Sequence, residues 1–277
     1  MLKLMYITND PSVASIAEAN GVDRIFVDME YVGKNLRQGG MDTVQNRHTI
    51  EDVRRLRKIL TKSQLMVRCN PIHDATEEYC SSGEEIDAII DSGADVIMLP
   101  YFRTVDEVRA FLELVAGRVG TILLFETPES VEAIDEILSL DGIDEAFIGL
   151  NDLSLGYGKK FMFELLADGT VEKLCLKFRL KGIPYGFGGI ASLGKGLLPA
   201  ERVIAEHYRL GSTCAILSRS FCGEFRNAPQ DIFFEKYAEE LRLIREYEAF
   251  CAEQGGDFFL NNARMVSAAI SDIVDKY

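Results

Sequence analysis

The chain of 277 residues is 47% hydrophobic and 27% charged, the balance of a folded globular protein and not of a disordered one. Its formal charge of −14 repels phosphate backbones, and Lys and Arg are scattered among acids instead of forming a stripe, which argues against nucleic acid as a partner. No apolar run approaches the roughly 18 residues of a membrane helix, and the six cysteines lack C-x-x-C pairing or zinc-spaced His, as expected of thiols in a reducing cytoplasm.

In chain order, Leu2 to Ile7 predicts a first strand, and Asn9-Asp10-Pro11-Ser12 a helix entry leading through SVASIAEANG to Gly21. Arg24 to Glu30, RIFVDME, predicts the second strand. The polar loop over residues 33 to 46 is longer than a connection requires, which makes it a candidate lid or else a simply disordered stretch, and it leads to a helix over Thr49 to Leu60. Gln64 to Cys69 predicts the third strand, EEIDAIIDSG a helix, and Asp95 to Pro100 the fourth strand.

Asp106 to Ala116 then predicts a helix and Thr121 to Glu126 a strand. Val131, Ile134, Ile137 and Leu138 recur at helical spacing between Pro128 and Gly142, which predicts a helix over Val131 to Leu138, with Ala146 to Asp152 as the sixth strand. Residues 170 to 181 predict a helix, Ile183 to Gly188 a seventh strand, Ala200 to Leu210 a helix and Ser212 to Ser218 an eighth strand. Eight alternating units, with no dinucleotide glycine fingerprint after the first strand, predict a closed (β/α)8 TIM barrel over residues 1–222. Further helices over 230 to 254 and 260 to 275 predict that 223–277 is a helical extension packing on the barrel or on a neighbouring subunit.

A barrel of this kind places its chemistry at the C-terminal strand ends, here Asp28, Glu30, Arg68, Pro100, Glu126, Asp152, Gly188 and Ser218. Glu126 and Asp152 close consecutive, adjacent strands, and two carboxylates that meet need a cation between them or a shared proton. They are therefore candidate ligands of a divalent metal, the other reading being that Glu126 caps the helix that follows it and Asp152 does the same for the loop beginning Asn151. Arg68 is a lone arginine among acids, suited by its planar fork to a substrate carboxylate or enolate oxygen, or else held in an ion pair with Asp28 or Glu30. The glycine-rich loop after strand seven offers backbone N–H groups of Gly188 and Gly189 to a substrate carboxylate or phosphate. Its GIASLGK run matches the start of a P-loop, but Gly196 stands where a hydroxyl should hold magnesium, which argues against a nucleotide site.

LLFETPESVEAIDEIL and IDEAFIGLNDLSLGYG resemble the paired metal-site segments of the HpcH/HpaI aldolase and citrate lyase family. The resemblance extends over roughly residues 1 to 222, through GVDRIFVDME, LMVRCNP and IDAIIDSGADVIMLPYFRTVDEVRAFL. It implies a class II type carbon–carbon lyase acting on a 2-oxo acid and an aldehyde, with pyruvate or a relative as the enolate partner. Carried over, Glu126 and Asp152 hold Mg2+ or Mn2+, Arg68 binds the keto or enolate oxygen, and Asp152 also neighbours the substrate. Related proteins form homo-oligomers with swapped C-terminal helices, so the resemblance implies a homo-oligomer.

One departure concerns proton transfer: the family's second strand commonly ends in an acid followed by His, whereas this chain has Glu30-Tyr31. Glu30 and His48 join Arg68 as catalytic candidates, with His73 or a metal-bound water as substitutes for the proton-transfer group. The insertions over Gly33 to Asn46 and His73 to Gly83 also depart from the shorter family members. Alternative readings are a citrate-lyase-β-like enzyme acting on an acyl-CoA, or a barrel that binds a 2-oxo acid without turning it over.

Overall fold

The computed structural model describes residues 1–33, 47–218, 221–225 and 228–276. Apart from Gly33, the candidate lid over residues 33 to 46 lies outside the described residues. The strands are β1 (Lys3–Ile7), β2 (Arg24–Asp28), β3 (Gln64–Arg68), β4 (Val96–Leu99), β5 (Gly120–Phe125), β6 (Glu145–Ile148), β7 (Tyr185–Ile190) and β8 (Cys214–Leu217). Each pairs in parallel with the next, and β8 pairs with β1, so the sheet is a closed eight-stranded barrel with helices between the strands. This is the predicted TIM barrel.

The helices start where polar caps satisfy their first free N–H groups. Asp10 caps Pro11–Ala19, and Thr49, Ser81 and Thr104 form capping boxes with Asp52, Glu84 and Glu107 at the starts of Ile50–Arg57, Ser82–Asp91 and Val105–Val115. Three predicted elements differ. The helix over Val131 to Leu138 is two short helices, Pro128–Glu132 and Ile134–Ile137, joined at Ala133. The sixth strand stops at Ile148, because Gly149 leaves the strand conformation and Leu150 and Leu153, one turn apart, bury one face of a helix over Leu150–Gly156. Asp152 therefore sits in the first turn of that helix and not on a strand end. The seventh strand starts at Tyr185, after Ile183 has closed the preceding helix with an N–H bond to Phe178 O; Pro184 has no N–H to donate but accepts from the Ala146 N–H at 2.9 Å.

Because strand side chains alternate with period two, the barrel interior is layered. Its middle is apolar: Met5, Phe26, Met66, Val96, Met98, Ile122, Leu124, Phe147 and Cys214 pack together there. The opposite parity, including Leu4, Ile25, Val27, Leu65, Val67, Ile97, Leu123 and Phe125, packs into the larger core shared with the surrounding helices. At the N-terminal floor Arg24 on β2 reaches across to Glu145 on β6 with two bonds of 2.7 and 2.5 Å, while Lys3 and Gln64 complete the cluster.

The C-terminal helices Gln230–Ala252 and Gly256–Val274 pack on this chain's own barrel. The buried Glu248 carboxylate accepts from the Leu2 N–H at 2.6 Å, and Arg245 bridges Glu248, Leu2 O and Asp23. Asn262 donates to Glu206 at 2.9 Å and fixes the last helix on Ala200–Leu210. No helix among the described residues is long and apolar enough to cross a membrane.

Candidate active site

The parity that fills the barrel with apolar side chains brings Asp28, Arg68, Glu126 and Ser218 to the C-terminal mouth. They line a cavity of about 910 Å³, together with His48, Asp152, Gly188 and Gly189. A cavity of that size is ample for a small-molecule ligand.

Arg68 and Asp28 are register partners on β3 and β2. Arg68 Nε donates to Asp28 Oδ1 at 2.9 Å and lies 3.4 Å from Glu30 Oε2, and its guanidinium stands over the Phe26 ring. Burial works against the Arg68 cation, but Asp28 and Glu30 outweigh it and hold the pKa above the usual guanidinium value. Arg68 is thus both ion-paired and part of the cavity wall. Pairing through Nε leaves the geometry of the fork fixed, which suits recognition of a planar oxygen pair. Asp28 lines the cavity, whereas Glu30, 2% exposed, stands behind it.

Glu126 follows directly on β5. The cap of the next helix is Thr127, whose Oγ1 accepts from Ser130 N–H at 3.1 Å, so Glu126 is not the capping residue. Its Oε1 accepts instead from the Tyr101 backbone N–H at 3.0 Å. Tyr101 has a left-handed φ of 49°, a conformation that costs roughly 1–3 kcal/mol in a non-glycine residue. Gly149 closes the other side: a Cβ there would lie 2.6 Å from Glu126 Oε2 and 2.7 Å from Glu126 Cβ. The carboxylate is therefore clamped between two backbone segments. Replacing Tyr101 with Val, which tolerates the left-handed region poorly, is expected to destabilise the protein by about 1–2 kcal/mol relative to Tyr101→Gly. Urea unfolding of the two variants tests this; equal midpoints would remove the strain.

Asp152 faces the same cavity from the first turn of the Leu150–Gly156 helix, whose N-cap Gly149 supplies no side-chain bond. Gly188, with φ of 50°, packs so closely on Leu150 that a Cβ would lie 2.7 Å from its Cδ1, which lets the β7 backbone border the cavity beside Ser218. Among the described residues no group of three or more His, Cys, Asp and Glu side chains is placed to hold a metal ion. Glu126 and Asp152 both line the cavity, and carboxylate oxygens are the donors that suit magnesium or manganese, which bind through one or two carboxylates with the remaining positions left to water and substrate oxygens.

The remaining proton-transfer candidates separate. His48, 6% exposed, lines the cavity, and its Nδ1 accepts from the Asp28 N–H at 3.0 Å. His73 lies outside the cavity lining, its ring between the carbonyls of Pro71 and Cys80. Tyr31 is also outside the lining, and burial, then the charges of Asp28 and its neighbours, push its phenol up to about 12, so it stays protonated at neutral pH. Lys195 of the P-loop-like run pairs with Glu224. Sequence reasoning missed Gly149, Tyr101 and the aromatic rim of Phe233 and Phe234 on the cavity; the strand period carried forward from Phe147 would have found Gly149.

A closed β/α barrel with carboxylates and an arginine at its C-terminal mouth defines a small-molecule enzyme scaffold of the TIM type. Residues 3–164 match the family model for HpcH/HpaI aldolase/citrate lyase, and the chain belongs to that family. It is 31% identical to a hydroxypyruvate/pyruvate aldolase of Sagittula stellata over a segment covering 32% of this chain and 46% of that protein, so it matches about half the length of that relative. Among solved structures, an HpcH/HpaI aldolase from Desulfitobacterium hafniense DCB-2 superposes with a TM-score of 0.61 at 16% identity, covering 92% of this chain and 94% of that one. An HpcH/HpaI aldolase/citrate lyase family protein from Burkholderia cenocepacia J2315 gives 0.61 at 14% identity, with 88% and 93% covered. At these identities the superpositions speak for the fold.

Proposed function

We propose that the chain is a divalent-metal-dependent carbon–carbon lyase that cleaves or forms a 4-hydroxy-2-oxo acid through a pyruvate-type enolate. The observation that carries this reading is the meeting of Glu126, Asp152 and Arg68 on one cavity, within a family of aldolases and lyases. Mg2+ or Mn2+, when bound by Glu126 and Asp152, supplies Lewis acidity at the carbonyl. Arg68 binds the keto or enolate oxygen, and the Asp28 and Glu30 carboxylates keep it charged and aimed. The Gly188 and Gly189 backbone approaches the substrate carboxylate beside Asp152. The large cavity leaves room for the aldehyde partner.

The acyl-CoA reading draws less support, because among the described lining residues Arg68 is the one Lys or Arg and is already paired, which leaves no basic track for CoA phosphates. The five buried cysteines, free of disulfides, suit a reducing cytoplasm. The test is solvent deuterium exchange into the methyl group of pyruvate, followed by NMR with manganese, with magnesium and with chelator. Metal-dependent exchange is expected; its absence in protein shown to bind metal would overturn the reading.

A further inference from the structure

We propose that His48 serves this reaction as a neutral hydrogen-bond donor, presenting Nε2–H to the keto oxygen that becomes the enolate, and not as the base that takes a proton. The role rests on the pyruvate reading above; the tautomer rests on a contact that is independent of it. The Asp28 backbone N–H, 3.0 Å from His48 Nδ1, can donate but not accept. Nδ1 is therefore the unprotonated nitrogen, and the hydrogen of the neutral ring sits on Nε2.

The fold holds this contact from both sides. Met29 N–H donates to Arg68 O at 3.0 Å and continues the β2–β3 ladder past Asp28, so the Asp28 amide cannot turn away. Thr49, next to His48, is the N-cap of a capping box with Asp52 and anchors the ring's own backbone. A proton arriving at His48 would have to land on Nδ1, breaking the bond and setting two N–H groups against each other in a site 6% exposed. An unpaired buried donor costs about 1–3 kcal/mol before the new charge is counted. Taking a proton is thus the task for which this ring is least suited.

Donation is the task for which it is placed. His48 borders the cavity beside Asp28, whose carboxylate holds Arg68, so imidazole and guanidinium belong to the same wall. When the C3–C4 bond of a 4-hydroxy-2-oxo acid breaks, its electron pair forms the C2–C3 double bond and the carbonyl pair collects on the keto oxygen. The C4 hydroxyl proton leaves to water, and C4 becomes the aldehyde carbon. His48 keeps its proton and shares it with the enolate oxygen, a preorganised donor aimed where charge develops.

The chain has three histidines, so a 15N-histidine spectrum of the whole protein resolves them individually. The resting protein is expected to show His48 as Nε2–H with Nδ1 bare; a protonated Nδ1 overturns the assignment. His48→Gln keeps an amide N–H near the Nε2 position and is expected to run pyruvate exchange within about tenfold of the native rate, with the same pH profile, whereas His48→Ala loses about 100- to 1000-fold, as for removal of one oxyanion donor. Gln as slow as Ala in folded protein would make His48 a base and sink the role. Native protein that binds metal and exchanges nothing, while showing the Nε2–H signal, would overturn the pyruvate reading and leave the tautomer standing.

Discussion

Replacing Glu126 with Gln is expected to lower metal-dependent exchange at pyruvate C3 by about a thousandfold, the effect of losing several kcal/mol of Lewis-acid stabilisation. The substitution is close to isosteric and its Oε1 can still accept from the Tyr101 N–H, so the fold and cavity shape stay and the charge goes. Manganese affinity, measured by calorimetry on the same protein, should fall with the rate. A Glu126→Gln protein with native affinity and native exchange would remove the metal role from this residue. Gly149→Ala is the complementary variant, because it keeps the carboxylate and moves it: the added methyl cannot occupy a point 2.6 Å from Glu126 Oε2. Loss of a positioning contact of this kind weakens metal affinity by about 10- to 100-fold.

The barrel was legible because its evidence is periodic. Eight apolar strand segments separated by amphipathic helices with Asp, Ser or Thr caps leave few alternatives, and their order survives errors of a residue or two at each boundary. The strand-end acids and Arg68 were legible for the same reason, since period two assigns their face once the apolar positions before them are known. Asp152 resisted that logic: the run Ala146 to Leu150 continues apolar into a helix, and the break at Gly149 depends on the tight approach to Glu126. The neighbourhood of His48 was not legible either, because its contact with the Asp28 amide joins residues separated by a long insertion. The same holds for Phe233 and Phe234, which reach the mouth of the barrel from the C-terminal helix.

The layering explains how one sequence face serves both stability and chemistry. On β2 the inward residues are Arg24, Phe26 and Asp28, and on β3 Gln64, Met66 and Arg68. The first of each set joins the floor, the second fills the barrel, and the third faces the cavity. The apolar middle separates the two charged layers, so the floor can be altered without touching the mouth.

Arg24→Met is accordingly expected to destabilise the protein by about 3–5 kcal/mol while leaving the cavity residues in place. Arg24 is 2% exposed and binds Glu145 through both terminal nitrogens; removing it strands a carboxylate whose remaining cationic partner, Lys3, is half exposed. Adding Glu145→Leu should recover most of the loss, since a buried ion pair exchanged whole for apolar side chains is often neutral. The pH dependence carries a sign that distinguishes this account from a simple packing defect. Burial alone would raise the Glu145 pKa, but the hydrogen bonds and charges of Arg24 and Lys3 lower it below the ordinary value. In the native protein this pair contributes stability above the unfolded carboxylate pKa of about 4.3, lost as pH falls through the lower folded value. In Arg24→Met, burial prevails and the folded pKa rises, so protonation relieves the stranded charge and the stability deficit narrows between pH 7 and pH 4.5. Urea midpoints of the two proteins at those two values read the difference directly, and a deficit that stays constant or widens would assign the loss to packing and not to charge.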